Sequence, residues 1–195
     1  FTHFANADGD EGYTMLQFTR FLDVLAELEN KYHRQFAIRH CAASAAVLHY
    51  PCTHLDMVRP GIALYGLHPC PETRTMIELK PVMSVHARVT DARLVPMSEG
   101  VSYGMNYRSP GSVKICTVPV GYADGLRRGL SGRTDVILKG QRCRQVGSIC
   151  MDQCMADLSQ VPDAQIGDTA IIYGNGSDNA PDIQEISQLA QTNKN

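Results

Sequence analysis

The hydrophobic pattern of this sequence changes its period near Lys80, and this change limits the fold more than any other feature. Before Lys80, five large apolar residues recur at helical spacing: Leu16, Phe21, Leu22, Leu25 and Leu28. After it, apolar and polar residues alternate through residues 83–90, which is typical of a half-buried strand. The sequence therefore predicts an α/β part followed by an all-β part. A polar, turn-rich segment at 70–75 marks the boundary, so the predicted domains are residues 1–75 and 76–195.

The composition argues against several classes of function. The net charge is −2 and the pI is near 6.4, with Lys and Arg spread along the chain, so we expect no nucleic-acid partner and no membrane surface in this segment. The seven cysteines form no Cys-x-x-Cys pair, and the predicted strand that carries Cys150 and Cys154 directs both to one face. No further ligands follow at suitable spacing. We therefore expect no metal site, and free thiols in a reducing cytoplasm.

Regular elements can be predicted along the whole chain. Residues 12–32 should form an amphipathic helix, with Thr14 and Gln17 at the spacing of an N-terminal capping box. The apolar residues 1–5 and 36–38 predict two buried strands. Four more elements are expected in the second part: a strand over 113–120, a hairpin over 136–146 turning at Lys139-Gly140, a strand over 169–173, and a closing helix over 182–190.

Three polar residues in the first part, His3, Ser44 and Arg59, lie at positions where side chains often bind ligands or need a partner. His3 lies at the end of a strand. Ser44 opens a helix, where backbone N–H groups and a hydroxyl can bind a phosphate, although serine is also a common plain N-cap. Arg59 lies in an apolar segment and must be paired, because an isolated buried charge is prohibitively costly. Its simplest partner by sequence is Asp56.

Tyrosine and methionine motifs mark the second part. Taken alone, a tyrosine beside a glycine is typical of a packed ring next to a turn. Six motifs, however, follow one another in order: Thr2-His3-Phe4-Ala5, His40-Cys41-Ala42-Ala43-Ser44, Arg59-Pro60-Gly61-Ile62, Ser102-Tyr103-Gly104, Gly121-Tyr122-Ala123-Asp124 and Cys150-Met151-Asp152. Together they resemble the alanine racemase family, enzymes that use pyridoxal 5′-phosphate (PLP) to interconvert L-alanine and D-alanine. One departure is Ala43, where the family motif has an asparagine.

The resemblance implies a role for each candidate residue. It assigns six residues to the cofactor: His3, His40, Ser44, Arg59, Gly61 and Ile62. Arg59 would donate to the pyridine nitrogen, Ser44 and the backbone after Gly61 would contact the phosphate, and His3 would lie near the ring. Tyr103 would be a catalytic base, supported by His40 and Arg59 because a phenol with a pKa near 10 is a poor base at neutral pH. Tyr122 would line the substrate entrance, and the Met151 backbone N–H would meet the substrate carboxylate.

The resemblance also implies the architecture and the partners. At 195 residues the chain is shorter than the roughly 250 of a complete (β/α)8 barrel, and it begins at Phe1 with no initiator Met or signal peptide. We therefore expect an internal fragment: the C-terminal part of a TIM-type barrel, then a β-barrel-like domain. The PLP lysine, which is the second base, would lie outside it. The intact protein would be a cytoplasmic homodimer with the active site shared across subunits, supplying D-alanine for peptidoglycan.

Alternative functions remain open from the sequence. A serine racemase of the same family remains an alternative, because the substrate pocket depends on residues outside this segment. Decarboxylases that share the architecture are disfavoured. They need a protonated cofactor ring nitrogen that is paired to an acidic residue, whereas this sequence has Arg59 in the corresponding motif. A non-enzymatic β-barrel could bind single-stranded nucleic acid on Tyr103, Tyr107 and Tyr122, but such modules need a basic groove and the pI near 6.4 argues against one.

Overall fold

The computed structural model describes residues 1–175 and 179–192, so residues 176–178 and 193–195 of the predicted second domain lie outside the described part. The chain divides into two compact units, Phe1–Val82 and Met83–Asn195. The first unit contains helices α1 (Glu11–Tyr32) and α2 (Ser44–His49). The second contains helix α3 (Ile183–Leu189) and nine strands. The strands that the structure describes are β1 (Val85–Arg88), β2 (Asp91–Val95), β3 (Gly100–Val101), β4 (Tyr107–Arg108), β5 (Val113–Val118), β6 (Asp135–Leu138), β7 (Gln141–Val146), β8 (Cys154–Asp157) and β9 (Thr169–Tyr173).

Helix α1 confirms the predicted helix but not its predicted start. Asp10 is the N-cap, and its side chain accepts a hydrogen bond from Tyr13 N at 2.8 Å. The capping box is wrong, because Thr14 is already inside the helix and donates its hydroxyl back to Asp10 O at 2.7 Å. The predicted apolar stripe is also partly wrong. Phe18 and Leu25 are buried, whereas Leu16 and Leu22 are 44% and 38% exposed.

The apolar segments 1–5 and 36–38 are not strands in the structure. Residues 1–82 are all described, and their only β pairing is a single parallel bridge between Ala43 and Arg59. Three stretches of the first unit nevertheless exchange backbone hydrogen bonds: Thr2 N to His40 O at 3.3 Å, Asp56 N to Arg39 O at 3.1 Å, and Arg59 N to Ala42 O at 2.8 Å. One bond between the first two stretches and two between the second and third are too few for a regular ladder, since parallel strands are stabilised by a run of evenly spaced bonds.

The second unit is a curled antiparallel sheet of seven strands, in the order β1-β9-β6-β7-β8-β5-β2. The two edge strands, β1 and β2, follow each other directly in the chain, so the sheet must bend round on itself. The predicted hairpin is confirmed as β6 and β7. Its turn places Lys139 at φ 49° and Gly140 at φ 76°, the left-handed pair typical of a two-residue hairpin loop. The predicted strand 169–173 and the closing helix are confirmed as β9 and α3.

Strands β5 and β8 separate two hydrophobic clusters. Cys116, Val118 and Ala156 point into the main core with most of the buried residues of this unit. On the opposite face, Ile115 and Met155 pack in a smaller cluster with Val95, Val101, Val146 and Cys150. This alternation follows from the period of two in a strand. Val101 of β3 and Tyr107 of β4 pack in the smaller cluster. These two strands pair with each other, and Tyr103 lies in the chain between them.

The cysteines are free, as expected, but the prediction for Cys150 and Cys154 is wrong. Cys150 precedes β8 and lies in the smaller cluster, whereas Cys154 starts β8 and lies in the main core. A turn before the strand breaks the even spacing, so the two thiols point to different faces. Cys52 is exposed and the other six are buried. Burial raises the pKa of the Cys116 thiol to about 11 and that of Cys154 to about 12, which keeps both protonated.

An ion pair attaches α3 to the sheet, and its loss should be measurable. Arg142 of β7 donates to both carboxylate oxygens of Glu185, at 2.7 and 3.0 Å. These hydrogen bonds lower the pKa of Glu185. Glu185→Gln should therefore destabilise α3 by roughly 0.5–1 kcal/mol at pH 7, a figure that allows for the partial exposure of the pair.

The effect of Glu185→Gln should disappear in acid. A carboxylate with a lowered pKa stabilises the fold above its unfolded pKa, and this contribution is lost as the pH falls through the folded pKa. Hydrogen exchange of the α3 amides at pH 7 and in acid measures the difference, with Glu27→Gln on the exposed side of α1 as the control. An effect of equal size at both pH values would contradict the ion-pair explanation.

Candidate active site

Arg59 is surrounded by neutral hydrogen-bond acceptors. Its Nη2 donates to Thr2 O at 3.0 Å, to His3 Nδ1 at 3.2 Å and to Cys41 O at 3.3 Å, and its Nη1 bonds His40 Nδ1. The predicted pairing with Asp56 is wrong, because Asp56 is paired with Arg39 at 2.8 Å. Residues 2–3, 39–42 and 56–59 run side by side. The Asp56 carboxylate therefore lies next to Arg39, and Arg59 lies among imidazole rings and backbone carbonyls. No salt bridge to Arg59 is present among the described residues.

The Arg59 guanidinium fixes the state of the His40 ring. A guanidinium can only donate, so the Nδ1 atom of His40 must accept, and the proton of the neutral imidazole lies on Nε2. Desolvation, followed by the charge of Arg59, lowers the pKa of His40 and favours this neutral form. The His40 ring stacks on Phe1 with 5.2 Å between centroids. His40 is therefore a neutral, oriented side chain that helps to aim the guanidinium.

Gln17 positions the segment that carries His3. Its Nε2 donates to Thr2 Oγ1 and to His3 O, both at 2.9 Å, and its Oε1 accepts from Ala5 N at 3.1 Å. The sequence pattern assigned Gln17 to a helix cap. It missed this function because the partners lie 12 to 15 residues away along the chain.

The Ser44 hydroxyl is hydrogen-bonded to the segment that contains Gly61 and Ile62. The Ser44 side chain is buried, and its Oγ accepts hydrogen bonds from Gly61 N at 2.9 Å and from Ala63 N at 3.2 Å. The N-cap of α2 is Ala43, so the reading of Ser44 as a plain N-cap is wrong. A Cβ added to Gly61 would meet no atom nearer than Ser44 Oγ, at 4.0 Å. A hydroxyl that accepts two backbone hydrogen bonds keeps its own hydrogen to donate, and beside open space such a donor suits a phosphate oxygen.

In the second unit, Tyr103 and Met151 line the same groove. The groove has a volume of about 840 Å³, and its lining includes Ile115, Thr117 and Met155 from the outer face of β5 and β8. Tyr103 is 70% exposed and Met151 is 54% exposed. The sequence separates these two residues by almost fifty positions, and the fold brings both to one surface. Tyr107, in contrast, is half-buried against the smaller cluster, and burial raises its pKa.

Tyr122 is attached to the loop that carries Met151. Tyr122 N donates to Cys150 O at 3.0 Å, and Ala123 N donates to Met151 O at 2.9 Å. Gly121 makes this approach possible, because an added Cβ would lie 2.2 Å from Met151 O. The sequence reasoning missed Gly121. The available signal was a glycine at the end of an apolar strand, which often marks a close backbone approach.

Two negative findings apply to the described residues. Within 1–175 and 179–192, no group of three or more His, Cys, Asp or Glu side chains could bind a metal ion. In the same part of the chain, every helix is too short or too polar to cross a membrane.

Comparison with known proteins identifies the family. The models described as "Alanine racemase, N-terminal domain" and "Alanine racemase, C-terminal domain" match residues 1–69 and 82–195. The chain belongs to the alanine racemase family. It is 49% identical over 175 residues to an alanine racemase of Desulfovibrio desulfuricans, covering 89% of this chain and 47% of that protein. It is 44% identical over 194 residues to one from Desulfosudis oleivorans, covering 98% and 50%. The chain thus spans about half the length of the curated relatives it matches.

Solved structures of alanine racemases support the fold. The enzyme of Clostridium difficile 630 matches with a TM-score of 0.92 and 35% identity, over 100% of this chain and 50% of that one. The enzyme of a D-cycloserine-producing Streptomyces lavendulae matches with a TM-score of 0.89 and 38% identity, over 98% and 50%. This alanine racemase family chain therefore comprises part of a TIM-type barrel followed by the β domain, and the predicted fold class is confirmed.

Proposed function

We propose that the full-length protein containing this chain is a PLP-dependent alanine racemase, which interconverts L-alanine and D-alanine by a two-base mechanism. The observation that carries the proposal is the Arg59 guanidinium, held by two imidazoles and two carbonyls, with no carboxylate from the described part of the chain bound to it. The relatives named alanine racemase support the same reaction. Residues 1–75 would bind the cofactor and residues 76–195 would carry the catalytic tyrosine.

The donor set of the first unit fits PLP. Ser44 Oγ and the backbone N–H groups of Gly61 and Ile62 would bind the phosphate, because they border the open space beside Gly61. Arg59 would face the pyridine nitrogen, with His3 beside the ring. When bound, PLP supplies the electron withdrawal that makes the substrate Cα–H acidic.

Arg59 controls how strongly the ring withdraws electrons. A guanidinium does not give up its proton at any working pH, so Arg59 donates a hydrogen bond and leaves the ring nitrogen unprotonated. The negative charge left on Cα is then less stabilised and is reprotonated sooner. A racemase benefits, because a short-lived carbanion has less time for side reactions. His3 and His40 keep the guanidinium in place without neutralising its charge.

Tyr103 would exchange a proton with Cα on one face of the substrate, and a lysine outside this chain would do so on the other. A phenol needs hydrogen-bond partners or a nearby cation to act as a base, and in a homodimer the Arg59 guanidinium and the neutral His40 of the opposite subunit would supply that network. Met151 N–H would bind the substrate carboxylate, and Tyr122 would line the entrance. The D-alanine would serve peptidoglycan synthesis in the cytoplasm.

The direct test is racemisation by the full-length protein. L-Alanine and L-serine are supplied side by side with PLP, and the D-enantiomers are quantified by chiral chromatography. The proposal expects D-alanine as the faster product. Turnover of serine alone would shift the assignment to a serine racemase, and no turnover of either would overturn it.

Ser44→Ala should weaken PLP binding in the full-length protein. The variant removes one hydroxyl bond to a charged group, which is worth about 1.5–3 kcal/mol, so the Kd for PLP should rise roughly 10- to 100-fold. Turnover at saturating PLP should change little, because Ser44 does not contact the reacting carbon. A PLP titration followed by absorbance measures the shift, with Ser187→Ala, a buried serine of α3, as the control. An unchanged Kd would remove Ser44 from the phosphate site.

A further inference from the structure

The backbone immediately before Tyr103 is strained. Ser102 has φ 68° and ψ −178°, a region that only glycine adopts freely. Residues with side chains persist there only where their surroundings fix them, and such strain concentrates at functional sites. Gly104 at φ 76° and Met105 at φ 48° continue the unusual turn. The segment that presents Tyr103 is therefore built against the local backbone preference.

Two serines fix this segment from both sides of Tyr103. Ser102 Oγ donates to Ser148 O at 2.6 Å, and Ser148 Oγ donates to Tyr103 O at 3.0 Å. Asn106 Nδ2 donates to Ser148 Oγ at 3.1 Å and completes the set of partners. Ser148 is 3% exposed, so water cannot readily replace these bonds. Ser148 is therefore hydrogen-bonded to the Ser102 side chain on one side of the Tyr103 Cα and to the Tyr103 carbonyl on the other.

Gly147 brings the two loops into direct contact. It has φ 70°, and an added Cβ would lie 2.7 Å from Val101 O and 2.8 Å from Ser102 Cβ. Ser102 Oγ also lies 3.3 Å from Cys150 Sγ. The loop that carries Met151 and the loop that carries Tyr103 therefore pack as one body at the edge of the groove.

We propose that Ser148 is a positioning residue for Tyr103, acting through Ser102 to set the direction of the phenol. The inference rests on the proposed function. The Tyr103 side chain is 70% exposed within its own chain, so that chain controls the direction of the phenol mainly through the backbone. A base must lie within hydrogen-bond reach of the proton that it takes, and a misplacement of about 1 Å can cost a hundredfold in rate.

The first test is Ser148→Ala in the full-length holoenzyme. Deuterium uptake at Cα from heavy water is measured separately for L-alanine and D-alanine. Exchange of L-alanine, which depends on Tyr103, should fall roughly 10- to 100-fold. Exchange of D-alanine, which depends on the lysine, should stay within about twofold of the parent. Ser187→Ala, which also loses a hydroxyl bond of a buried serine to a carbonyl, is the control and should leave both rates unchanged.

The second test is Ser102→Gly, which separates positioning from stability. Glycine relieves the strain at φ 68° while losing one hydrogen bond, so the thermal midpoint of the protein without PLP should stay within roughly 3 °C of the parent. L-Alanine exchange should nevertheless fall, because the freed backbone no longer fixes the phenol. A purely structural role predicts the opposite, namely that activity follows stability.

A Tyr103→Phe arm distinguishes the two possible failures. If Tyr103→Phe leaves L-alanine exchange intact, the proposed function fails and this inference fails with it. If Tyr103→Phe abolishes that exchange while Ser148→Ala and Ser102→Gly keep it, only the role of Ser148 is overturned. Equal losses for both enantiomers in the serine variants would also overturn it. The double variant Tyr103→Phe/Ser148→Ala should match Tyr103→Phe alone.

Discussion

Replacing Tyr103 by Phe in the full-length protein is expected to lower racemisation in both directions by about 100- to 10,000-fold. General-base catalysis is worth that factor, which corresponds to roughly 3–5 kcal/mol in the barrier. In the proposed mechanism each direction uses both bases, because one takes the proton and the other returns it from the opposite face. The fold should be unaffected, because the Tyr103 side chain is largely exposed and its ring is retained.

Exchange with solvent should respond to Tyr103→Phe in a different way from racemisation. Exchange needs only the base on the substrate's own face, so D-alanine should still take up deuterium through the lysine, whereas L-alanine should not. The measurement is proton NMR of each enantiomer in heavy water with the homodimeric variant. Tyr32→Phe, which removes a phenol hydroxyl from an exposed tyrosine at the end of α1, is a suitable comparison. Equal uptake by the two enantiomers would remove Tyr103 from the mechanism.

Replacing Arg59 by Glu should lower racemisation by about 100-fold or more, the size of loss seen when one preorganised donor is removed from an active site. A glutamic acid beside the pyridine nitrogen would share its proton with the ring. The cofactor would then withdraw electrons more strongly, and the carbanion would persist. We expect new long-wavelength absorbance on adding alanine, together with more side reaction per turnover.

Arg59→Lys is the matched control for this prediction. Lysine keeps the positive charge but loses the planar fork that reaches Thr2 O, His3 and His40 together. It should reduce activity without the new absorbance band. PLP content and circular dichroism of both variants establish that the cofactor remains bound and the fold intact. Unchanged turnover and an unchanged spectrum in Arg59→Glu would show that Arg59 does not face the ring nitrogen.

Local patterns predicted the elements whose causes are local. The hairpin of β6 and β7 follows from Lys139-Gly140 and the alternation on each side of it, and α3 follows from its apolar spacing after Asp182. The same logic failed where the partner is distant. Gln17 bonds the segment of His3 instead of capping its own helix, and Asp56 pairs with Arg39 rather than with Arg59, three residues away. No local pattern contains these contacts, because they arise from segments packed side by side.

In the candidate site, too, the sequence predicted some residues and missed those whose contacts are distant along the chain. The ordered sequence motifs predicted Tyr103, Met151 and Arg59 as site residues. The resemblance of these motifs to a family also implied a role for each residue. It did not point to the residues that position them. Ser148 has no distinctive sequence context, and Gly121 occurs in a motif only beside Tyr122; the contacts that make them important are to backbone of distant segments, Tyr103 O and Met151 O among them. Such contacts can be recognised only when the loops are seen together.

Because β5 and β8 face two separate clusters, alternate positions on each strand can vary independently of one another. The cross-strand pair of Thr117 with Met155 lines the groove, whereas the adjacent pair of Cys116 with Ala156 packs in the main core. Changes in side-chain size at the first pair alter the depth and polarity of the groove while leaving the core volume intact. The groove and the main core are thereby built on opposite faces of the same two strands, so selection or design can change the groove lining without changing the main core.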